Sequence, residues 1–253
     1  MRQDDRAPFA TALEGARAAA YPPGEYVGQE SFMGAGQIRR LARQAGIGRG
    51  VSVLDLCCGV AGPGRLITAE TACSYLGLDS SRSALEIARE LAGDLPCRFA
   101  QAHLPPLPDE QFGVVLLLET LLAFSDKQTL VDEVARVLEP GGRFACTAEV
   151  GRPLTAGERA RMPDADTVFL IDLTELSALM REAGLVVTWL EDWSASHGET
   201  AIALLASFRA ESAAISARVG TRALDDLIAA HRLWSDWLRS GRVRKFALVA
   251  ERP

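Results

Sequence analysis

A chain of 253 residues is long enough for one substantial core with an elaboration, and a net charge of −6 leaves no basic surface to track a phosphate backbone. Nucleic acid is therefore not expected as a substrate on bulk electrostatics. No run is apolar for long enough to span a bilayer, and the opening MRQDDRAPFATALEG has no apolar segment, so neither a membrane anchor nor a secretory signal is expected. The five cysteines (Cys57, Cys58, Cys73, Cys97, Cys146) form no C-x-x-C and no Cys/His cluster. They read as reduced core thiols of a cytoplasmic protein, with no metal site expected.

In chain order, residues 8–20 are Ala-rich and predict a helix, with Leu13 almost alone as a large anchor, broken by Tyr21-Pro-Pro-Gly. A second helix sets Phe32, Ile38, Leu41 and Ala45 on one face and stops at Gly46. Residues 51–56 (VSVLDL) read as a strand buried on both faces, ending in Gly59, Gly62 and Gly64 and followed by a short helix over 66–71. Glycine at such a turn lets the backbone approach a ligand and offer N–H donors. The order is G-x-x-G-x-G with Asp55 inside the strand end, which is not the dinucleotide fingerprint G-x-G-x-x-G. Residues 74–78 form a second strand ending in Asp79, a natural acceptor for two ribose hydroxyls. Ser80 and Ser81 cap a helix with the stripe Leu85, Ala88, Leu91.

A third strand is predicted over 97–101 and a fully apolar fourth over 112–118, with Glu119 and Thr120 at its tip. Open parallel sheets bind ligands beyond that edge. A helix over 128–138 ends at Pro140 and turns through Gly141-Gly142 into a fifth strand over 143–148, followed by Glu149. The irregular VGRPLTAGERARMPDAD is long enough to be functional and is expected to wall a substrate pocket. A helix over 173–183 and a sixth strand, LVVTWLED, come next. Two helical patterns, 199–218 and 221–240, precede a last strand over 245–250. The second aligns Leu224, Leu227, His231, Trp234 and Leu238, a stripe that suits either core or a pocket ceiling.

Three stretches carry a family likeness: L-D-L-x-C-G-x-x-G from Leu54, G-L-D-S-S-x-x-A-L-x-x-A from Gly77, and ARVLEPGGRFACTAE ending at Glu149. They resemble the motifs of class I S-adenosylmethionine-dependent methyltransferases. The likeness is nearest to small-molecule members of the ubiquinone-biosynthesis and sarcosine/dimethylglycine types, and it extends over about residues 21–190 and the last strand. The resemblance implies an α/β, Rossmann-like, doubly wound, mainly parallel seven-stranded sheet whose last strand is antiparallel. It implies an N-terminal helical lid over 1–50 and a core of 51–193 with 242–253; residues 194–241, which the common fold explains least, read from their two helical patterns as a helical cap inserted between strands 6 and 7.

It further implies S-adenosylmethionine as cofactor, with S-adenosylhomocysteine as product. The turn with Cys57, Gly59 and Gly62 would lie under the methionyl part, Asp55 would hold its amino group, and Asp79 with Ser80 would hold the sugar. Ala102, His103 and Leu104 stand where the family binds adenine, although His103 replaces the family's Asp and F-G-V-V replaces F-D-x-V. Tyr21 and Gln29, with Tyr26, are lid candidates, and Glu119 and Thr120 face the transfer point. E-T-L-L at that tip departs from the nucleic-acid amine methyltransferases.

A hydroxyl or enol-like carbon acceptor needs a base, for which His197 and His231 are candidates, with Glu149 placed to orient the acceptor. Trp193, Trp234 and Trp237 suit a hydrophobic natural-product intermediate, or alternatively a methylated ammonium. The expected partner is a small molecule, and the expected state is monomer or homodimer. A cyclase that retains the cofactor without methyl transfer would share the same motifs, and product mass separates the two. A nicotinamide oxidoreductase is disfavoured by the glycine order, and a non-catalytic binder by the intact cofactor motif.

Overall fold

The computed structural model describes residues 6–253. Expectations for the first five residues lie outside them. Seven strands form one sheet: β1 Ser52–Leu56, β2 Ser74–Asp79, β3 Cys97–Gln101, β4 Phe112–Leu117, β5 Leu138–Val150, β6 Val186–Asp192 and β7 Arg244–Glu251. Their order is β3-β2-β1-β4-β5-β7-β6. Strands β1 to β5 pair in parallel, and β7 runs antiparallel to both β5 and β6. The order reverses between β1 and β4, which opens a crevice at the carboxyl ends of the parallel strands. Because β7 is antiparallel, its first residues lie at that same edge.

The period of two along each strand feeds two cores. Leu54, Leu56, Val115 and Leu117 face α5 (Lys127–Val137) and α7 (Leu173–Glu182), meeting Leu130, Val134, Leu176 and Met180. Val53, Tyr75, Val114 and Leu116 face α2 (Ala35–Gln44) and α3 (Gly62–Thr71), meeting Ile38, Leu41 and Ile67. Between β2 and β3, α4 (Arg82–Ala92) begins at Ser81, whose side chain accepts from the Ala84 N–H. Helix α3 starts at Gly62 rather than four residues later, because Pro63 suits a first helical turn and Gly64 lies flat on the Tyr75 ring. Strand β5 begins at Leu138, earlier than the Gly-Gly turn predicts. Leu138 already pairs with Phe112 before the register shifts to Val114↔Arg143.

The cap holds three helices instead of two: α8 Ser194–Ala210, α9 Ser212–Val219 and α10 Thr221–Ser240. Helix α1 (Arg6–Ala20) packs against them, with Leu13 and Ala16 meeting Leu204, Phe208, Ile215 and Leu224. Helix α2 packs on the sheet instead. The stretch after β5 contains one short helix, α6 (Ala156–Arg159), capped by Thr155, and its Leu154, Met162, Val168 and Leu170 pack behind Trp237 and Val243. It buttresses the cap from behind. No described helix is long and apolar enough to cross a membrane.

Candidate active site

The turn after β1 runs through left-handed backbone at Cys57 (φ 59°), Gly59 (φ 54°) and Ala61 (φ 55°). Such geometry turns successive N–H groups inward, and the Asp79 carboxylate gathers two of them from neighbouring turns. Its Oδ2 accepts from Gly59 N at 2.9 Å and its Oδ1 from Ser81 N at 2.8 Å. Asp55 is buried and accepts from the Tyr75 hydroxyl at 2.6 Å. Burial pushes its carboxyl up to about 7, the Tyr75 hydrogen bond opposing and Asp79 reinforcing the shift. Asp55, Asp79 and Gly59 line a cavity of about 220 Å³ with Cys57, Gly62, Glu119 and Thr120.

The segment from Tyr21 to Gly34 roofs this cavity and is tied down at several points. The Tyr21 hydroxyl donates to the Ser31 carbonyl. Gln29 is spent on the segment itself: its Oε1 accepts from Val27 N at 2.6 Å, and its Nε2 donates to the Glu25 and Met33 carbonyls. Arg17 pairs with Glu30 at 2.5 Å. Gly28 lies on Gly62 so closely that a Cβ on Gly62 would sit 2.5 Å from the Gly28 carbonyl carbon. Gly62→Ala is therefore expected to lift the roof. It should cost about 1–3 kcal/mol in unfolding free energy and weaken ligand binding in this cavity by tenfold or more, as calorimetry and denaturant titration would read.

A second cavity, of about 250 Å³, lies between the strand tips and the cap and is walled by Phe32, Leu122, Leu204, Phe208, His231 and Trp234. It shares Glu30, Ser31 and Glu119 with the first, so the two meet at the tip of β4. Glu119 itself has left-handed backbone (φ 60°), a conformation uncommon for a residue with a Cβ, and its N–H donates to the Thr147 hydroxyl at 2.6 Å.

At this junction the fold buries charge. Lys245 is opposite Glu149 in the β5–β7 ladder, donates to it, and donates also to Glu119 Oε2 at 2.6 Å. Phe32 N also donates to Glu119 Oε2, at 3.4 Å. Burial alone raises the Glu119 carboxyl, but Lys245 and then His197 outweigh it and hold it below its ordinary value. Burial wins at Glu149, which stays above its ordinary value despite Lys245. The two carboxylates keep Lys245 protonated against its own burial. Glu119 Oε1 and Glu149 Oε2 are buried with no hydrogen-bond partner.

His197 is fully buried behind Glu119, its Nδ1 3.7 Å from Glu119 Oε1, between the rings of Trp193 and Phe32. His231 lies on the cavity wall against Phe208, its Nδ1–H donating to the Leu227 carbonyl at 2.9 Å, which leaves Nε2 with the lone pair. Burial drives both imidazoles down to about 4.

Of the residues singled out in the sequence, Asp55, Cys57, Gly59, Gly62, Asp79, Gln29, Glu119 and Thr120 line the first cavity, and Glu119, Glu149 and His231 the second. Others lie elsewhere. Tyr21 braces the roof from behind, and His197 backs Glu119 without lining either cavity. Ser80 offers its carbonyl to the Gln101 side chain, outside the lining. Ala102, His103 and Leu104 follow β3, where Ala102 N donates to the Asp79 carbonyl; they also stand outside the lining, with His103 exposed. Lys245, Arg17 and Ser31 belong to the site without having been singled out, and Phe32, expected on the face of the second helix, precedes that helix (Ala35–Gln44) and stands on the cavity wall. A lysine opening the otherwise apolar KFALVA was a readable signal for the first. Among the described residues no group of metal-ligating side chains converges.

Residues 54–146 match the family model described as a methyltransferase domain. The chain is 33% identical over 166 residues to 27-O-demethylrifamycin SV methyltransferase of Amycolatopsis mediterranei (strain S699), covering 61% of this chain and 61% of that relative. It is 28% identical over 187 residues to methyltransferase GfsG of Streptomyces halstedii, covering 67% and 65%. The chain thus spans less than two thirds of the length of these curated relatives. Among solved structures, the 4+2 cyclase SpnF shares the fold, with a TM-score of 0.78 at 22% identity over 99% of this chain and 94% of that one.

Proposed function

We propose that the chain is a class I S-adenosylmethionine-dependent methyltransferase that methylates a small molecule, an intermediate of secondary metabolism, with S-adenosylmethionine as donor and S-adenosylhomocysteine as product. The observation that carries this reading is the pair of cavities meeting at Glu119, one edged by Asp55, Asp79 and the glycine turn, the other walled by aromatic and aliphatic side chains under the cap with the Glu119–Lys245–Glu149 cluster at its base. The natural-product setting rests on the two relatives named above.

The first cavity fits the cofactor on its own features. Gly62 lies so close under the Gly28 and Val27 backbone that no side chain fits between turn and roof, and Thr120 Oγ1 is a buried polar atom left without a hydrogen-bond partner there. Asp79 would take the ribose hydroxyls, Asp55 the amino group, and the backbone from Cys57 to Gly62 the methionyl chain. When bound, S-adenosylmethionine supplies an activated methyl group on a positively charged sulfur.

The protein's own contribution is then position, dryness and a place for a proton. The Tyr21–Gly34 roof and the cap exclude water. Glu149 is the candidate proton acceptor, since its carboxyl is held above 4.5 while both imidazoles are pushed down to about 4. His231 Nε2 is the second candidate, and His197 acts through Glu119 by fixing its position.

Incubation with methyl-deuterated S-adenosylmethionine tests the reading. An acceptor heavier by one labelled methyl and an equal amount of S-adenosylhomocysteine are expected. The fold shared with SpnF supports a second reading, a cyclisation with the cofactor retained. Its mark is a product of unchanged mass and no S-adenosylhomocysteine.

A further inference from the structure

The buried ion cluster carries information about what the second cavity accepts. Lys245 clamps one oxygen of Glu119 and one of Glu149; Glu119 Oε1 faces His197 Nδ1 at 3.7 Å behind the cavity, while Glu149 Oε2 is left buried with no hydrogen-bond partner beside it. A buried acceptor without a donor is costly, and a ligand that brings a donor relieves that cost. The charge also has a sign. With both carboxylates ionised, Lys245 leaves the cluster one negative charge; with one protonated, it is neutral. Neither state offers an uncommitted cation. The other cation on the wall, Arg17, is held by Glu30. His197 and His231 are neutral at physiological pH. The remaining wall is aromatic and aliphatic, with Phe32, Phe208 and Trp234 prominent.

We propose that the acceptor cavity takes a neutral, hydrophobic alcohol or phenol and turns away carboxylates and phosphates, and that Lys245 is the positioning residue that sets this preference by holding Glu149 with one oxygen free. This rests on reading the cavity as the methyl-acceptor site. A hydroxyl supplies the missing donor, whereas an anion supplies none and finds no cation free to pair with it. A ketone or bare hydrocarbon leaves that oxygen as it is.

Three probes of one shape decide it: 4-phenylphenol, biphenyl-4-carboxylate and biphenyl, titrated calorimetrically near neutral pH into the full chain, with and without S-adenosylhomocysteine. The phenol is expected to bind at least about a hundredfold tighter than the carboxylate and about tenfold tighter than biphenyl. In Glu149→Gln, which keeps Lys245 and makes the cluster less negative, the penalty on the carboxylate should shrink to under about tenfold. In Lys245→Met the phenol should lose its advantage over biphenyl, a ratio that a general loss of stability does not change. Equal or tighter binding of the carboxylate overturns the proposal, as does failure of the phenol to bind, or an unchanged ratio in Glu149→Gln. If Lys245→Met does not fold, the Glu149→Gln ratio decides by itself. Absence of S-adenosylhomocysteine binding would defeat the cofactor reading instead, while the probe ratios in the free protein still decide this one.

Discussion

Replacing Asp79 with alanine is expected to cut affinity for S-adenosylmethionine between about a hundredfold and ten-thousandfold. The reason is a count of lone pairs. An ionised carboxylate offers about four acceptor positions. In this protein two are occupied by Gly59 N and Ser81 N, which fix the side chain across the mouth of the turn. Two remain for the sugar's hydroxyls. Each hydrogen bond to a charged acceptor contributes about 1.5–3 kcal/mol, so losing both weakens binding by roughly 3–6 kcal/mol. The two N–H groups released by the substitution border the cavity and can turn to water, so the fold should survive. Isothermal titration with the cofactor, beside a thermal melt of the free protein, makes the measurement. Affinity within about threefold of the wild type, with the fold intact, would remove the sugar from Asp79.

The second large effect is at Asp55, where stability and binding pull in opposite directions. Its carboxyl is raised to about 7 against an ordinary value of 3.8. Below 3.8 both folded and unfolded states hold the proton and nothing is lost. Between 3.8 and 7 the unfolded chain gives up its proton while the folded protein keeps it, so stability falls as pH rises through that window and stays lower above it. At 1.36 kcal/mol for each pH unit, the full effect is bounded at ~4 kcal/mol.

Asp55→Asn keeps an acceptor for the Tyr75 hydroxyl and removes the charge. It is expected to stabilise the free protein by a few kcal/mol near pH 8 and to leave it unchanged near pH 4. His197 and His231, both held down to about 4, act the other way: stability falls as pH drops below 6.5. That contribution is common to both proteins and cancels in their difference. The same substitution should weaken cofactor binding by about ten- to a hundredfold, since the cofactor's amino group loses a charged partner. In the wild type, cofactor affinity should rise with pH through about 7. Denaturant titrations at several pH values supply the stability difference, and one that is flat with pH would show that Asp55 is not perturbed.

Much of this was legible in the chain because the physics behind it is local. Apolar runs mark β1, β2 and β4, with β-branched residues in β1 and β4, and the glycines and Asp79 follow their strands within a few residues, so the first cavity is written in contiguous segments. Parallel order then follows from the alternation of strands with helices. Residues that sequence position could not place are those whose setting depends on packing. Ala102, His103 and Leu104 hold the family position after β3, yet the path of the chain there leaves them outside the cavity lining. The single break that makes two helices of 199–218 contains neither proline nor glycine; it falls at Glu211, where Ile215 turns in to meet Leu13 of α1.

The amino-acid sequence by itself determined the sheet, the glycine turn and the acids at the strand tips, since each depends on neighbours a few positions away. Tertiary structure alone decided the charge at the second cavity. Lys245 lies 96 residues from Glu149 and 126 from Glu119, and only the antiparallel register of β7 on β5 sets it between them. A shift of that register by one residue would turn the ammonium to the other face of the sheet and leave two buried carboxylates with no cation.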